Sequence, residues 1–400
     1  MCMIKYIIKR LFQSVLVILL VVCVVFSLLR LMPSDYFFTE DELIKFTEAQ
    51  KYAKLERLGL MKICPTCEGT GIVNDEACHD CRENELAAKG TGYVTRSTLA
   101  QLGDFFRDML QVRVFNAKGK EVKSIEPLTL FSYLSQKMKT GENPFGELKE
   151  GQYTRLMFNM GKSIRLEKNQ YVTDVIASKM SVSMKIGLLS LAVSLVLGVV
   201  LGVLQARFKD KLFDHIGTGY TIIVKAVPPL VVYTIIMIVG ASLFNLPMRY
   251  DATAAKPWLT VVLPVICLSV ASTAGYMLWT RRYMVDELNK DYIRLAKLKG
   301  LSDRKVMFRH VLKNAFVPLA QYLPYSILLT VGGSLLVETF FAVPGMGPEL
   351  TTAISRYDLN LVQGIVLLYA TMGIFGVFLG DLLMTLIDPR IKLTGKGDVR

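Results

Sequence analysis

Asp291-Tyr292-Ile293-Arg294-Leu295-Ala296-Lys297-Leu298-Lys299-Gly300, followed by Leu301-Ser302-Asp303-Arg304-Lys305, lies between two long apolar runs and decides how the chain is read. The stretch predicts two short helices broken at Gly300, a residue that readily takes the left-handed conformation ending a helix. Ser302 is a good N-cap for the second helix, and Asp303 suits its first turn. Tyr292, Leu295, Ala296 and Lys299 fall on one helical face, with small Ala296 leaving room for another surface. The plain alternative is a solvated basic loop. Such a loop needs neither a capped break nor an apolar face, so the two-helix reading is preferred.

Outward from this loop, six uncharged runs stand out: Leu11–Leu29, Ile186–Ala206, Ala226–Met248, Pro257–Thr280, Asn314–Val337 and Leu359–Gly380. Each has 19 to 24 residues. A helix needs about 20 to cross the hydrocarbon of a bilayer, so six membrane spans are expected. Pro228-Pro229, Pro264, Pro318 and Pro324 are expected to kink later spans, and Gly198, Gly202, Gly332 and Gly333 to permit close helix approach.

Charge sets the expected orientation. Met1–Arg10, Arg207–Lys211, Arg281–Lys313 and Asp388–Arg400 hold 3, 3, 10 and 4 Lys/Arg, whereas the opposite short loops hold only Arg249, Lys256 and Arg356. The bias predicts both termini in the cytoplasm. The formal charge of +13 therefore reads as topology and contact with the lipid bilayer. The long segment Ser34–Ser178 carries 20 basic and 21 acidic residues without a basic, aromatic-interleaved tract, so nucleic acid is excluded as a partner. The first run could be a cleaved signal. Arg30-Leu31-Met32-Pro33 offers no small-residue cleavage site, so a retained span is expected.

The segment between the first and second spans reads as α+β. Asp41–Leu58 has helical spacing, with Leu43, Phe46, Tyr52 and Leu55 as packing positions and Gly59 as a stop. Val112–Phe115 and Glu121–Ile125 flank Asn116-Ala117-Lys118-Gly119 like a hairpin. Cys64-Pro65-Thr66-Cys67 and Cys78-His79-Asp80-Cys81 suit a tetrahedral structural zinc site held by Cys64, Cys67, Cys78 and Cys81. Two disulfides, or free thiols, are the competing readings. Cys64–Gly71 resembles a C-x-x-C-x-G-x-G half-site of DnaJ-type zinc modules; after Cys81 the second half departs from it, with Gly90-Thr91-Gly92 arriving late.

The central loop resembles the EAA loop of ABC-importer permeases, in the version found in oligopeptide and dipeptide permeases. Asp291, Tyr292, Arg294, Ala296, Lys299, Gly300, Leu301, Ser302, Arg309, His310, Asn314, Ala315 and Pro318 fit that pattern. Glu338-Thr339-Phe340-Phe341 with Pro344-Gly345-Met346-Gly347 resembles the family's E-T-x-F-x-x-P-G-x-G, and Asp358 fits the aspartate after it. Asp381, then Asp388-Pro389-Arg390-Ile391, resembles its closing D-x(6)-D-P-R-I. The resemblance covers the first span and about residues 160–392.

It implies an all-α polytopic fold of six transmembrane helices, the type I importer permease, with an α+β extracytoplasmic insertion. Expected boundaries are 1–33 for the N-terminus and first span, 34–178 for the insertion, 179–388 for the permease domain with its coupling loop at 281–315, and 389–400 for the tail. The implied setting is the bacterial inner membrane. The implied partners are a homologous second permease, two ATPase subunits and an extracytoplasmic substrate-binding protein. Peptides are the implied cargo, with nickel or another small solute as the variant. Glu338, Pro344, Gly345, Gly347, Asp358 and Lys225 are expected near a gate or pathway, and Asp381, Asp388, Pro389 and Arg390 in structural roles.

No enzyme activity and no bound nucleotide are expected of this chain. Gly161-Lys162-Ser163 has Leu156 where a phosphate-binding loop requires its first glycine. A membrane-anchored zinc-binding sensor is the rival class.

Overall fold

The run Leu11–Leu29 has only its own backbone to satisfy its polar groups in lipid, and a helix, α1 (Cys2–Arg30), runs through it. The computed structural model describes residues 2–81, 90–119, 121, 122, 124–146 and 148–387. Contacts divide the chain into two units. One comprises Met1–Leu20, Ile176–Thr351 and Leu367–Arg400, and the other Val21–Val175 and Thr352–Val366.

Beyond α1 come α2 (Glu40–Lys45) and α3 (Glu48–Arg57), where one helix was expected. Thr47 forces the break: its backbone N–H donates to Gln50 Oε1 at 3.0 Å in a reciprocal cap that starts a new helix. Leu43, Phe46, Tyr52 and Leu55 still pack together around Phe37 and Phe38. Two short ribbons follow, β1 (Met61–Ile63) with a later strand and β2 (Ile72–Val73) with β3 (Glu76–Ala77). The partner of β1 is β4 (Tyr93–Thr95), in register Met61 to Thr95.

Next are α4 (Thr98–Asp108), β5 (Leu110–Phe115), β6 (Leu128–Thr129), α5 (Leu130–Thr140) and β7 (Tyr153–Phe158). They form a three-stranded sheet in the order β6-β5-β7. Of the hairpin expected across Asn116–Gly119, whose Lys120 and Lys123 lie outside the described residues, a bridge between Phe115 and Glu121 and a Val122 N–H to Val114 O bond at 2.9 Å are seen. β7 pairs with all of β5.

The long apolar runs become α6 (Val172–Arg207), α7 (Leu212–Ala226), α8 (Pro229–Phe244) and α9 (Pro257–Leu288). After them come α10 (Asp291–Leu298), α11 (Asp303–Lys305), α12 (Leu312–Val331), α13 (Leu335–Phe340), α14 (Met346–Ser355) and α15 (Leu359–Ile387). Among the described residues, five spans are long and apolar enough to cross a membrane, and α7 with α8 makes a sixth. That pair bends by 111° at Val227-Pro228. Proline disfavours helical geometry in the residue before it, so the run Ala226–Met248 cannot be one straight helix. The expected fifth span is likewise two helices, α12 and α13, parted at Gly332–Ser334.

Small residues bring α6 against α9: a Cβ on Gly202 would lie 2.6 Å from Thr280 Cβ and 2.8 Å from the Met277 carbonyl. The chain is thus a helical multi-pass membrane protein with a mixed α/β insertion.

Candidate coupling loop, buried carboxylates and metal site

The end of α10 is built by two backbone bonds. Gly300 N–H donates to Lys297 O at 2.9 Å and Leu301 N–H to Ala296 O at 3.4 Å, with Gly300 at φ +77°. These are the paired bonds of a glycine-terminated helix, and Leu301 packs back toward Ala296 as that motif favours. Ser302 has the extended backbone of a cap (φ −63°, ψ 147°), although its side chain makes no capping bond. After α11 a π-helical turn over Val306–Val311 leads into α12.

Ile293 and Ala296 are buried with Val306, Met307 and Val311 against Val203 and Ala206 of α6 and Met284 of α9. Ala296 therefore does not face a free surface as expected. Ile293, three residues earlier and 1% exposed, sets the buried stripe, and Ala296 lies on it at 8%. The exposed apolar side chains of the loop are Leu295, Leu298 at 85% exposure and Phe308 at 50%, with the Tyr292 ring partly exposed beside them. Leu298 and Phe308 were missed; their signal was the i, i+3 spacing from Leu295 and the isolated aromatic ring among basic residues.

Tyr292 O–H donates to the Glu287 carboxylate and accepts from Asn314 Nδ2 at 2.7 Å, joining α9, α10 and α12. Burial, and then the Glu287 carboxylate, push the phenol up to about 12, so it stays protonated. Arg294 and Asp291 form an exposed pair at 3.6 Å. Lys299 is exposed and His310 half-buried. Arg309 joins Ser302, Arg304, Lys305 and Phe308 around a hollow of 500 Å³.

Glu338 is closed in by its own chain rather than presented to an opening. Its carboxylate accepts from Ser334 N–H at 3.1 Å and Gly347 N–H at 2.9 Å. Ser183 also bonds it, and Ser183 Oγ in turn accepts from Met346 N–H at 2.8 Å. A Cβ on Gly345 would lie 2.7 Å from Glu338 Cδ, which is why the turn after exposed Pro344 needs a residue without one.

Asp358 is fully buried in the other unit. Its Oδ2 accepts from Ser163 Oγ at 2.6 Å and from the N–H groups of Ile164, Arg165 and Leu166 at 3.1, 2.9 and 3.0 Å. Its Oδ1 caps α15 by accepting from Leu361 N–H at 3.3 Å. The Gly161-Lys162-Ser163 stretch thus leads into a nest of backbone donors, and the anion it holds is the chain's own carboxylate.

Asp381 accepts from Gln321 Nε2 at 3.0 Å and stands 3.4 Å from Arg10 Nε. Lys225 is exposed in the last turn of α7. Asp388, Pro389 and Arg390 lie outside the described residues. Sequence reading passed over Asp214, which is buried on α7 and takes both Arg281 Nε and Nη2 at 2.6 Å. The single carboxylate of α7, set ahead of a largely apolar stretch, was the available signal.

Cys64, Cys67, Cys78 and Cys81 are buried, and their sulfurs all lie within 4.8 Å of one another, a set that could hold a metal ion. Two halves build the cluster with the same bonds. Thr70 Oγ1 donates to Cys67 O at 2.6 Å, and Thr91 Oγ1 to Cys81 O at 2.8 Å. Cys78 N–H donates to Gly71 O at 3.0 Å, and Cys64 N–H to Gly92 O at 2.9 Å. Gly90-Thr91-Gly92 is therefore the counterpart of Gly69-Thr70-Gly71. The second half departs from the pattern in spacing, as expected, with residues 82–89 (outside the described residues) standing between Cys81 and Gly90, yet the late glycines make the equivalent bonds. Burial alone would raise the Cys67 thiol, but N–H donors from Gly71 and Gly69 and the Cys81 contact bring it down to about 7.

Residues 198–393 match the family described as binding-protein-dependent transport system inner membrane component. The oligopeptide transport system permease protein AmiC of Streptococcus pneumoniae is 37% identical over 57% of this chain and 45% of its own length. The chain thus spans less than half of that relative. The dipeptide transport system permease protein DppB of Bacillus subtilis is 33% identical over 60% of this chain and 77% of its own. A solved amino acid ABC transporter with histidines aligns with 55% of this chain and 95% of its own at 14% identity, with a TM-score of 0.40. The DppB identity, together with the matched transport segment, means that the chain belongs to the binding-protein-dependent transport system inner membrane component family.

Proposed function

We propose that the chain is a permease subunit of an ATP-driven importer and forms half of a translocation pathway for peptides delivered by an external binding protein. The observation that carries this reading is the two-faced loop. Its Ile293 and Ala296 side is fixed to the spans, while Leu295, Leu298 and Phe308 stand in solvent. Apolar side chains held out by a rigid base suit docking into a partner cleft. The partners are two ATPase subunits, which perform the hydrolysis, and a homologous permease that completes the pathway. Both termini lie in the cytoplasm and the insertion outside. Peptide cargo is supported by the printed descriptions of the relatives, oligopeptide and dipeptide transport. Glu338, Asp358 and Asp381 serve as anchors of the turns and helix ends around the pathway.

The four cysteines hold structural zinc. With Zn–S bonds of about 2.3 Å, a tetrahedron has sulfur–sulfur edges of about 3.8 Å. The Cys64–Cys78 and Cys67–Cys81 sulfurs stand 3.9 and 3.6 Å apart, against about 2.05 Å in a disulfide.

The test of the import reading is uptake of radiolabelled trialanine by cells lacking this chain. Restoration by the wild-type chain, with the ATPase subunits co-purifying on it, is expected. Wild-type uptake without the chain overturns the reading.

A further inference from the structure

A cleft of 1080 Å³ opens in the insertion, lined by β5, the segment after β7 and the start of α6. On its wall Arg113 is 2% exposed. A guanidinium buried to that degree needs both its donors and its charge met. One terminal nitrogen donates to Asn159 Oδ1 at 3.2 Å and Gln111 Oε1 at 3.4 Å. Its ion-pair partner Glu121 stands 3.9 Å away and also accepts from the Tyr171 hydroxyl at 3.2 Å. Among the described residues Arg113 Nε has no partner. The cation is held firmly, with its carboxylate partner at the long end of ion-pair distance and one donor, Nε, unmet.

Tyr171 fixes a second cation beside it. Arg113 Cζ lies 3.6 Å from the ring centroid and Lys162 Nζ 5.0 Å from the same centroid, so the two charges stand no farther apart than the sum of those distances. Negative charge lines the cleft as well. Glu126 and Asp174 are exposed there, and neither carboxylate has a hydrogen bond or ion pair among the described residues. Phe115, Ile125 and Met157 supply apolar wall. A simple anion would meet the acidic groups and a simple cation the basic ones. A zwitterion with separated ends, and side chains between them, satisfies both sets. The volume suits a ligand of a few residues.

We propose that this cleft binds a short peptide by its ends, with Arg113 and Lys162 taking the terminal carboxylate and Glu126 and Asp174 the terminal ammonium. The assignment rests on the peptide-import reading and adds a peptide subsite outside the membrane spans. Fixed charge-assisted donors are the groups that recognise carboxylates well, and here the protein has ordered them in advance.

The test is isothermal titration of the full chain, purified in detergent, with trialanine, C-terminally amidated trialanine and N-acetyl-trialanine. Binding of trialanine at one site is expected, weakened at least tenfold by amidation. Lys162→Gln should weaken trialanine at least tenfold yet leave the amidated peptide unaffected, since both changes remove one interaction. Asp174→Asn should stand in the same relation to the acetylated peptide. Both variants change exposed side chains, so folding is retained, whereas Arg113 variants would disturb the sheet. Absence of trialanine binding, or independent effects of Lys162→Gln and amidation, overturns the subsite. Trialanine uptake by wild-type cells separates the two readings: uptake without cleft binding overturns the subsite alone, and absent uptake overturns peptide import itself.

Discussion

Gly300 sits at φ +77° with nothing within 4 Å of where a Cβ would be. Gly300→Val therefore acts through backbone strain alone, about 1–2 kcal/mol for a side-chain-bearing residue in the left-handed region. The strain falls on the break between α10 and α11, so trialanine uptake should drop at least tenfold while membrane yield stays near wild type. Normal uptake would mean that the break is not part of coupling. Asp358 poses a different problem, because four donors converge on one buried oxygen. Asp358→Asn keeps the shape but removes the charge that strengthens those bonds, and hydrogen bonds to charged groups contribute about 1.5–3 kcal/mol each. A loss of stability of about 3 kcal/mol is expected, read as a lowered midpoint in thermal unfolding of the full chain in detergent. An unchanged midpoint would show that the nest does not depend on the charge.

At the scale of elements, the loop separates a packing face from an exposed apolar face, proposed above for docking, and substitutions on each should fail in different ways. Ala296→Glu forces a carboxylate into the cluster of Ile293, Val306 and Met284, so it should lower folded yield. Leu298→Glu touches a side chain 85% exposed, so folding survives while the ATPase subunits no longer co-purify. Equal retention of ATPase by Leu298→Glu and wild type would remove α10 as the docking element. In the insertion, the two cysteine halves hold each other through the Cys64–Gly92 and Cys78–Gly71 bonds. Mass spectrometry of the full chain should find one zinc, and Cys78→Ser should reduce retention to under a tenth. A metal-free wild-type chain with oxidised cysteines would favour the disulfide reading instead.

For the whole molecule, the basic-residue bias predicts that Glu142→Cys reacts with an impermeant thiol reagent in intact cells and Lys297→Cys does not. The reverse pattern would invert the topology. Much of the architecture was legible along the chain because lipid imposes a local rule: an uncharged run of span length must be helical wherever it crosses. The break at Gly300 and the clustering of four cysteines were legible for a similar reason, since each follows from residue type and spacing over a few positions. The helix pair bent at Pro228, the two separate helices at Thr47 and the β7 partner of β5 were less so, because each depends on competition between alternatives spread through the sequence. Which side of α10 is buried, and which carboxylates are enclosed, could only be decided in three dimensions. Ala296 faces inward because α6 and α9 converge beneath it, and Asp358 is enclosed because donors nearly 200 residues away in sequence reach it. Hydrophobic length is written locally, whereas burial of a single side chain is a property of whatever the fold brings against it.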